Sequence, residues 1–178
     1  NGSNGFIVDG KDANDSLGSA LSNAGDINGD GIDDLVIGGS NAGNVLNSPF
    51  ADGDSDQRGE IYVVFGSKNG FNSRFSVADR FTLTGIGIED NLGTAISSAG
   101  DDDLVIGAAN ASVDGSYTQE GQVYVLFGRQ GGFGTQFDLN SLNGNNGFSI
   151  AGINGGDGLG NAVSAGDFNG YGIDDLLV

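Results

Sequence analysis

The chain of 178 residues contains no cysteine, histidine, methionine or tryptophan, and a single proline. Without cysteine there is neither a disulfide framework nor a thiolate metal site. Without histidine the commonest general base is missing, and so is the usual ligand for zinc or iron. Bases are scarce: 6 Lys and Arg stand against 24 Asp and Glu, for a formal net charge of −18. A surface this acidic repels nucleic acid and anionic lipid, so neither is expected as a partner. No apolar run approaches the ~20 residues of a membrane helix, so no membrane insertion is expected. No signal peptide is visible either. The glutamates are only Glu60, Glu89 and Glu120.

Glycine, in contrast, is abundant, with 35 residues and no collagen-like period. Low apolar content and high charge are also the composition of disordered chains. Runs such as Ile61-Tyr62-Val63-Val64-Phe65 and Val123-Tyr124-Val125-Leu126-Phe127 are too apolar and too regular for that reading. They are short, β-branched or aromatic, and bounded by Gly, Asn or Asp, which is the signature of strands. No window carries a helical stripe. The expected class is all-β.

One stretch carries the clearest chemistry. Oxygen side chains alternate at Asp26, Asn28 and Asp30 and return at Asp34, with Gly31 at the sixth place. This is the D-x-[DN]-x-[DN]-G pattern by which hard oxygen ligands surround Ca²⁺. Position twelve, a bidentate Glu in an EF-hand, is Ile37 within an apolar run. The bidentate carboxylate is therefore assigned to Asp34, and the loop is expected to clasp calcium between two strands. An Asp/Asn/Gly-rich turn that binds nothing is the competing reading. The oxygens in register are more than a turn requires. Sites of modest calcium affinity fill where the ion is plentiful, which favours an extracellular or cell-surface location.

The second signal is an internal repeat. Phe6, Gly10 and Leu17-Gly18 recur as Phe81, Gly85 and Leu92-Gly93, and as Phe148, Gly152 and Leu159-Gly160. Each set leads through a small-residue segment into Ala24-Gly25-Asp26, Ala99-Gly100-Asp101 or Ala165-Gly166-Asp167. Apolar runs beginning at Leu35, Leu104 and Leu176 follow. In the first two units a strand-like segment then ends in Phe65-Gly66 or Phe127-Gly128, with Phe71 and Phe75, or Phe133 and Phe137, beyond. The approximate repeats are 6–80, 81–147 and 148–178, the last incomplete. About four strands per repeat is the blade of a β-propeller. Residues 1–178 are thus expected to be part of one propeller domain, as a partial or assembled ring. The small-residue strand suits the crowded axis, and Tyr62, Phe65, Tyr124 and Phe127 suit the space between blades.

At these residues the chain resembles the FG-GAP repeats of the integrin α-subunit propeller and its bacterial relatives. Phe65-Gly66 and Phe127-Gly128 are the Phe-Gly, while Gly38-Gly39-Ser40 and Gly107-Ala108-Ala109 are degenerate counterparts of the Gly-Ala-Pro. The resemblance implies a calcium site of Asp26, Asn28, Asp30 and Asp34 with the main-chain oxygen of Ile32. It implies a second from Asp167, Asn169 and Asp175 with the main-chain oxygen of Ile173. There Tyr171 stands in the third carboxylate's place, so this site should be weaker. In the middle unit Asp101 runs directly into Asp102-Asp103-Leu104. That loop cannot wrap an ion, though Asp101 and Asp103 can flank one. The third unit is one residue short between Leu159 and Asp167, which needs a bulge unless parent residues are absent. For the middle unit, absent residues are the expectation.

The function so implied is a calcium-stabilised adhesion or binding module, not an enzyme. Its protein or glycan ligand is expected at the long loops Ser40 to Gly59 and Asn110 to Gly121, and further copies or blades of itself are the other candidate partners. Two alternatives stand beside it. One is a structural subunit polymerising into a surface layer or fibre through open blade edges. The other is the propeller of a polysaccharide-acting enzyme, catalytic or not. Glycoside hydrolysis needs facing carboxylates, whereas Glu60 and Glu120 occupy nearly equivalent places beside the same strand, as framework residues would.

Overall fold

A computed structural model describes residues 4–43, 56–100, 102–113, 118–134 and 136–178. The described chain is all-β, with two 3-10 turns, Val77–Asp79 and Leu139–Ser141. In chain order the first five strands are β1 (Ile7–Asp9), β2 (Leu17–Asn23), β3 (Leu35–Gly39), β4 (Glu60–Val64) and β5 (Arg74–Ser76). The next five are β6 (Phe81–Thr84), β7 (Leu92–Ala99), β8 (Asp103–Ala108), β9 (Gln122–Leu126) and β10 (Gln136–Phe137). The last three are β11 (Gly147–Ala151), β12 (Ser164–Gly166) and β13 (Asp175–Leu177).

Two antiparallel sheets dominate. The first is ordered β2-β3-β4-β6, with β10 added in parallel on β6. The second is ordered β7-β8-β9-β11. Strands β12 and β13 form an antiparallel pair, and β1 pairs in parallel with β5. The sheets are offset from the sequence repeats by one strand: the opening strand of each repeat closes the sheet of the repeat before it. A cyclic pattern can be cut at any point, so the sequence period alone does not place that boundary.

Side-chain alternation explains how the sheets stack. Successive residues of a strand face opposite sides. Val36, Ile61, Val63, Phe81 and Leu83 of the first sheet meet Leu104, Ile106, Tyr124 and Leu126 of the second in one buried cluster. From the other face of the second sheet, Val105, Val123 and Val125 pack against Leu159, Val163, Ala165 and Leu176 of the third unit. Tyr62 and Tyr124 are both buried, but only Tyr124 lies between the two sheets; Tyr62 alternates with Ile61 and Val63 and so stands on the face of the first sheet turned away from the second. Their hydroxyls donate to Glu60 and Gln122 respectively, each two residues earlier in its strand. Glu60 is thus matched by Gln122, as the alignment of the two Tyr-Val strands implies, and Glu120 stands two residues earlier.

The layers touch backbone to backbone at paired glycines. A Cβ on Gly38 would lie 2.6 Å from the carbonyl oxygen of Gly93, and one on Gly107 would lie 2.0 Å from that of Gly160. Neither position accepts a side chain without moving a layer. A Phe triad recurs where a short strand adds in parallel, on β1 and on β6. Phe6, Phe71 and Phe75 sit with ring centroids 4.7–5.7 Å apart, and Phe133 lies 5.4 Å from Phe81 and 5.6 Å from Phe137. These rings anchor the short parallel additions β5 and β10.

After Leu159-Gly160 the third unit keeps only Ser164–Gly166 extended, against seven residues in β2 and eight in β7. The turn in which Asn161 N–H donates to the Gly158 carbonyl is common to all three units, recurring as Ser19 on Ser16 and Thr94 on Asn91, so the difference lies in the shortened strand. Irregularities occur between Leu17 and Leu21 and between Leu92 and Ala95, so this edge is bulged in the first two units.

Candidate metal centre

The Asp26–Asp34 loop joins β2 to β3 and is closed at its base by a reciprocal backbone pair. Ala24 N–H donates to the Asp34 carbonyl at 2.9 Å, and Asp34 N–H donates to the Gly25 carbonyl at 2.6 Å. Inside this neck the Asp26 carboxylate turns inward. Its two oxygens accept the N–H groups of Asp30 at 2.8 Å and Gly31 at 2.6 Å. Gly31 holds φ +86°, the sharp bend that the sixth position demands. Ile27 points the other way and is fully buried in the core between the first two sheets.

Asp34 lies at the floor of the loop, 2% exposed. One oxygen accepts Gly66 N–H at 2.8 Å, and the Asn28 amide donates to the other at 3.2 Å. Asp30 is exposed and Ile32 half-buried. Burial pushes the Asp34 carboxyl above the usual carboxylate range, the Gly66 N–H opposes this, and the charges of Asp30 and Asp26 push it up further. The three ion pairs among the described residues use Asp9, Asp56 and Glu60, so no base neutralises this group.

The third unit builds the same cradle. Asp167 accepts the N–H groups of Gly170 and Gly172, both at 2.7 Å, and of Tyr171 at 3.0 Å. Asn169 donates its amide to both oxygens of Asp175 at 2.8 Å, as Asn28 does to Asp34. These N–H groups, Gly172 foremost, hold the Asp167 carboxyl below its usual range. Tyr171 and Ile173 are 84% and 74% exposed. The phenol supplies no carboxylate to the loop, and no buried Ile27 equivalent braces it.

The middle unit keeps the floor and lacks the loop. Asp103 accepts Gly128 N–H at 2.9 Å, the counterpart of Asp34 with Gly66, and burial again raises its carboxyl. Asp101 lies outside the described residues, so its expected place beside Asp103 is not described. Most of the middle of the Ser40 to Gly59 loop, and residues 114–117 of the other long loop, also lie outside them.

Among the described residues no three acidic side chains gather as a ready-made metal cluster. The loop instead holds Asp26 on its own backbone and Asn28 with its N–H toward Asp34. The donor set nevertheless suits a hard divalent cation, being carboxylate, amide and carbonyl oxygen without nitrogen or sulfur. Half a turn of the Asn28 amide would exchange its N–H for an oxygen.

Sequence reading missed a further repeated carboxylate. Asp15, Asp90 and Asp157 each stand two residues before Leu-Gly and fold back on the preceding turn. Asp15 accepts Asp12 N–H at 2.9 Å, Asp90 accepts Gly87 N–H at 2.5 Å, and Asp157 accepts the N–H groups of Ile153 and Asn154 at 3.2 and 2.8 Å. Burial raises Asp15 and Asp90 above the usual range. The constant offset from Leu-Gly was the available signal. Asp102 and Asp174 were also unassigned, and they link units: Asp26 N–H donates to Asp102 at 3.1 Å and Gly100 N–H to Asp174 at 2.6 Å.

Neither a protein-family model nor a curated protein sequence matches the chain.

Proposed function

We propose that the chain is a calcium-stabilised adhesion or binding module, working outside the cell or on its surface, whose stacked sheets are blades of an FG-GAP-type β-propeller. The first loop would hold the ion through Asp26, Asn28, Asp30 and Asp34 with the main-chain oxygen of Ile32. The third loop would hold one more weakly through Asp167, Asn169 and Asp175 with the main-chain oxygen of Ile173. Calcium here neutralises the loop and fastens one sheet to the next, and its binding free energy adds to folding.

The observation that carries this reading is Asp34: a buried carboxylate with no basic partner, facing two further acids of its own loop. Leaving such a group charged and unpaired in the interior is costly, and a divalent cation removes the cost. The loop is also tied across the layer boundary. Arg129 N–H donates to the Ile27 carbonyl at 3.2 Å and Gly131 N–H to the Asn28 carbonyl at 2.9 Å. Ordering the loop therefore orders the contact between units. Support for the propeller is the face-to-face stacking made twice, with the same glycine contact each time.

The test is thermal unfolding with calcium and with a chelator. A site filled to 100 times its dissociation constant adds about 2.7 kcal/mol, so chelation should lower the Tm of the wild-type chain by several degrees. The Asp34→Asn variant should show little further change on chelation. A wild-type Tm indifferent to calcium rejects the proposal.

A further inference from the structure

Two junctions between units inside this chain use the same set of backbone contacts. Gly85 N–H donates to the Gly59 carbonyl and Gly152 N–H to the Gly121 carbonyl, both at 2.9 Å. Leu92 N–H donates to the Arg58 carbonyl at 2.9 Å and Leu159 N–H to the Glu120 carbonyl at 3.1 Å. Gly93 and Gly160, at φ +90° and +95°, lie against Gly38 and Gly107 of the unit before. The strand that precedes each junction, β6 or β11, is paired antiparallel with β4 or β9.

The first unit presents the same receiving half with nothing of the described chain against it. Gly10, Leu17 and Gly18 stand where Gly85, Leu92 and Gly93 stand in the second unit. Gly18 has the same φ of +90°, yet no described atom lies within 4 Å of a Cβ built there. A Cβ on Gly85 would meet the Arg58 carbonyl oxygen at 1.9 Å, while one on Gly10 meets only its own unit's Asp12 and Leu17, at 3.7 Å. Among the described residues β1 pairs only with β5, through contacts that include Ile7 N–H to the Ser73 carbonyl. By strand alternation the N–H groups of Val8 and Gly10 face the other edge. Exposure agrees: Phe6 is 37% exposed against 3% for Phe81, and Ile7 is 55% exposed.

We infer that the free edge of β1, with Gly10, Leu17 and Gly18, is an acceptor for one added antiparallel strand of the repeat's own Gly-[Glu/Gln]-[Ile/Val]-Tyr-Val type. The junctions already made fix its register: a Tyr62-like residue opposite Ile7, an Ile61-like residue opposite Val8, and the carbonyl before the glycine on Leu17 N–H. The recognition is main-chain pairing along an open sheet edge. It rests on the equivalence of the repeat units and not on calcium. A second whole copy is a poor fit, because the described donor halves of both complete units are already engaged within the chain.

The test adds a synthetic peptide of residues 56–64 to the full ¹⁵N-labelled chain in calcium buffer. Saturable one-to-one binding is expected, with amide shifts at Val8, Gly10, Leu17 and Gly18 and slowed exchange of the Leu17 amide. A scrambled peptide, and one N-methylated at alternate residues, should bind at least about tenfold more weakly, the loss expected for one or two hydrogen bonds. The Val8→Pro variant removes a donor that has no acceptor among the described residues, and it should fold while losing the peptide. Should it not fold, the N-methylated peptide serves in its place. Absence of binding, shifts confined to other surfaces, or equal binding of the N-methylated peptide would overturn the inference. So would self-association of the chain through β1 that the peptide does not relieve. The calcium melt is a separate readout, so either proposal can fail without the other.

Discussion

The first and second units share a frame and differ in the loop between the first two strands of each sheet, acidic in one and missing its middle in the other, and in the length of the long loop that follows. Both place an aspartate at the head of the second strand of the sheet, Asp34 before β3 or Asp103 in β8, and both give it the N–H of the glycine after Phe65 or Phe127. Both sheets form in the same order and with the same pairing. The second does so without residues corresponding to Ile27 through Ile32. The acidic loop is therefore not needed to lay down a sheet. What it adds is a buried isoleucine between layers, two backbone ties to Arg129 and Gly131, and an uncompensated set of carboxylates. An addition that carries charge into a half-buried place has a role beyond turning the chain.

The sharpest way to break this comparison is at Ile27. Replacing a fully buried Ile by Ala typically costs 2–5 kcal/mol, and Ile27→Ala should fall in about that range by denaturant unfolding. The second unit tolerates having no equivalent. A loss below about 0.5 kcal/mol, the level of an ordinary surface change, would mean the loop is only draped on the core.

Next in size is a pair of glycine substitutions. Gly93 and Gly18 share φ +90°, so Ala at either carries the left-handed cost of about 1–2 kcal/mol. At Gly93 the new Cβ also meets Ile61 Cδ1 at 2.8 Å and Gly38 Cα at 3.2 Å, whereas Gly18 is open. Overpacking adds about 1–3 kcal/mol. Gly93→Ala should thus destabilise more than Gly18→Ala by about that amount, and equal losses would show that the layer contact is loose.

The smallest effect concerns the buried turn carboxylates. Burial raises Asp90 and Asp15 in the folded chain above the ordinary value of 3.8, so the folded state binds their protons more tightly than the unfolded state. The stability they contribute is complete below the ordinary value and is lost as pH rises through the raised one. In chelator the wild-type Tm should fall, partly for this reason, as pH rises from the ordinary value through the raised ones. Asp90→Asn should flatten that fall, and an unchanged slope would remove Asp90 from the account.

Much of this architecture is legible in the residues because strands and turns are local. Ile61 to Phe65 and Val123 to Phe127 alternate as buried strands must, and the recurrence of Leu-Gly marks each unit. The alternating oxygens at Asp26, Asn28 and Asp30 likewise place a tight loop between β2 and β3. What was not legible depends on partners distant in sequence. The pairing of β6 with β4 across the repeat boundary and the parallel addition of β10 are examples. Spacing says which oxygens can meet an ion. It does not say that Asp26 meanwhile accepts the N–H groups of Asp30 and Gly31.

The central claim is that the first loop, and not the bare floor of the second unit, is the principal calcium site. Calorimetric titration of calcium into the metal-free wild type, Asp34→Asn and Asp103→Asn chains tests it directly. One tighter site per chain is predicted, with a weaker one from the third loop. The tighter site should disappear in Asp34→Asn and persist in Asp103→Asn. No calcium heat in the wild type, or loss of the tighter site in Asp103→Asn with retention in Asp34→Asn, would contradict the account.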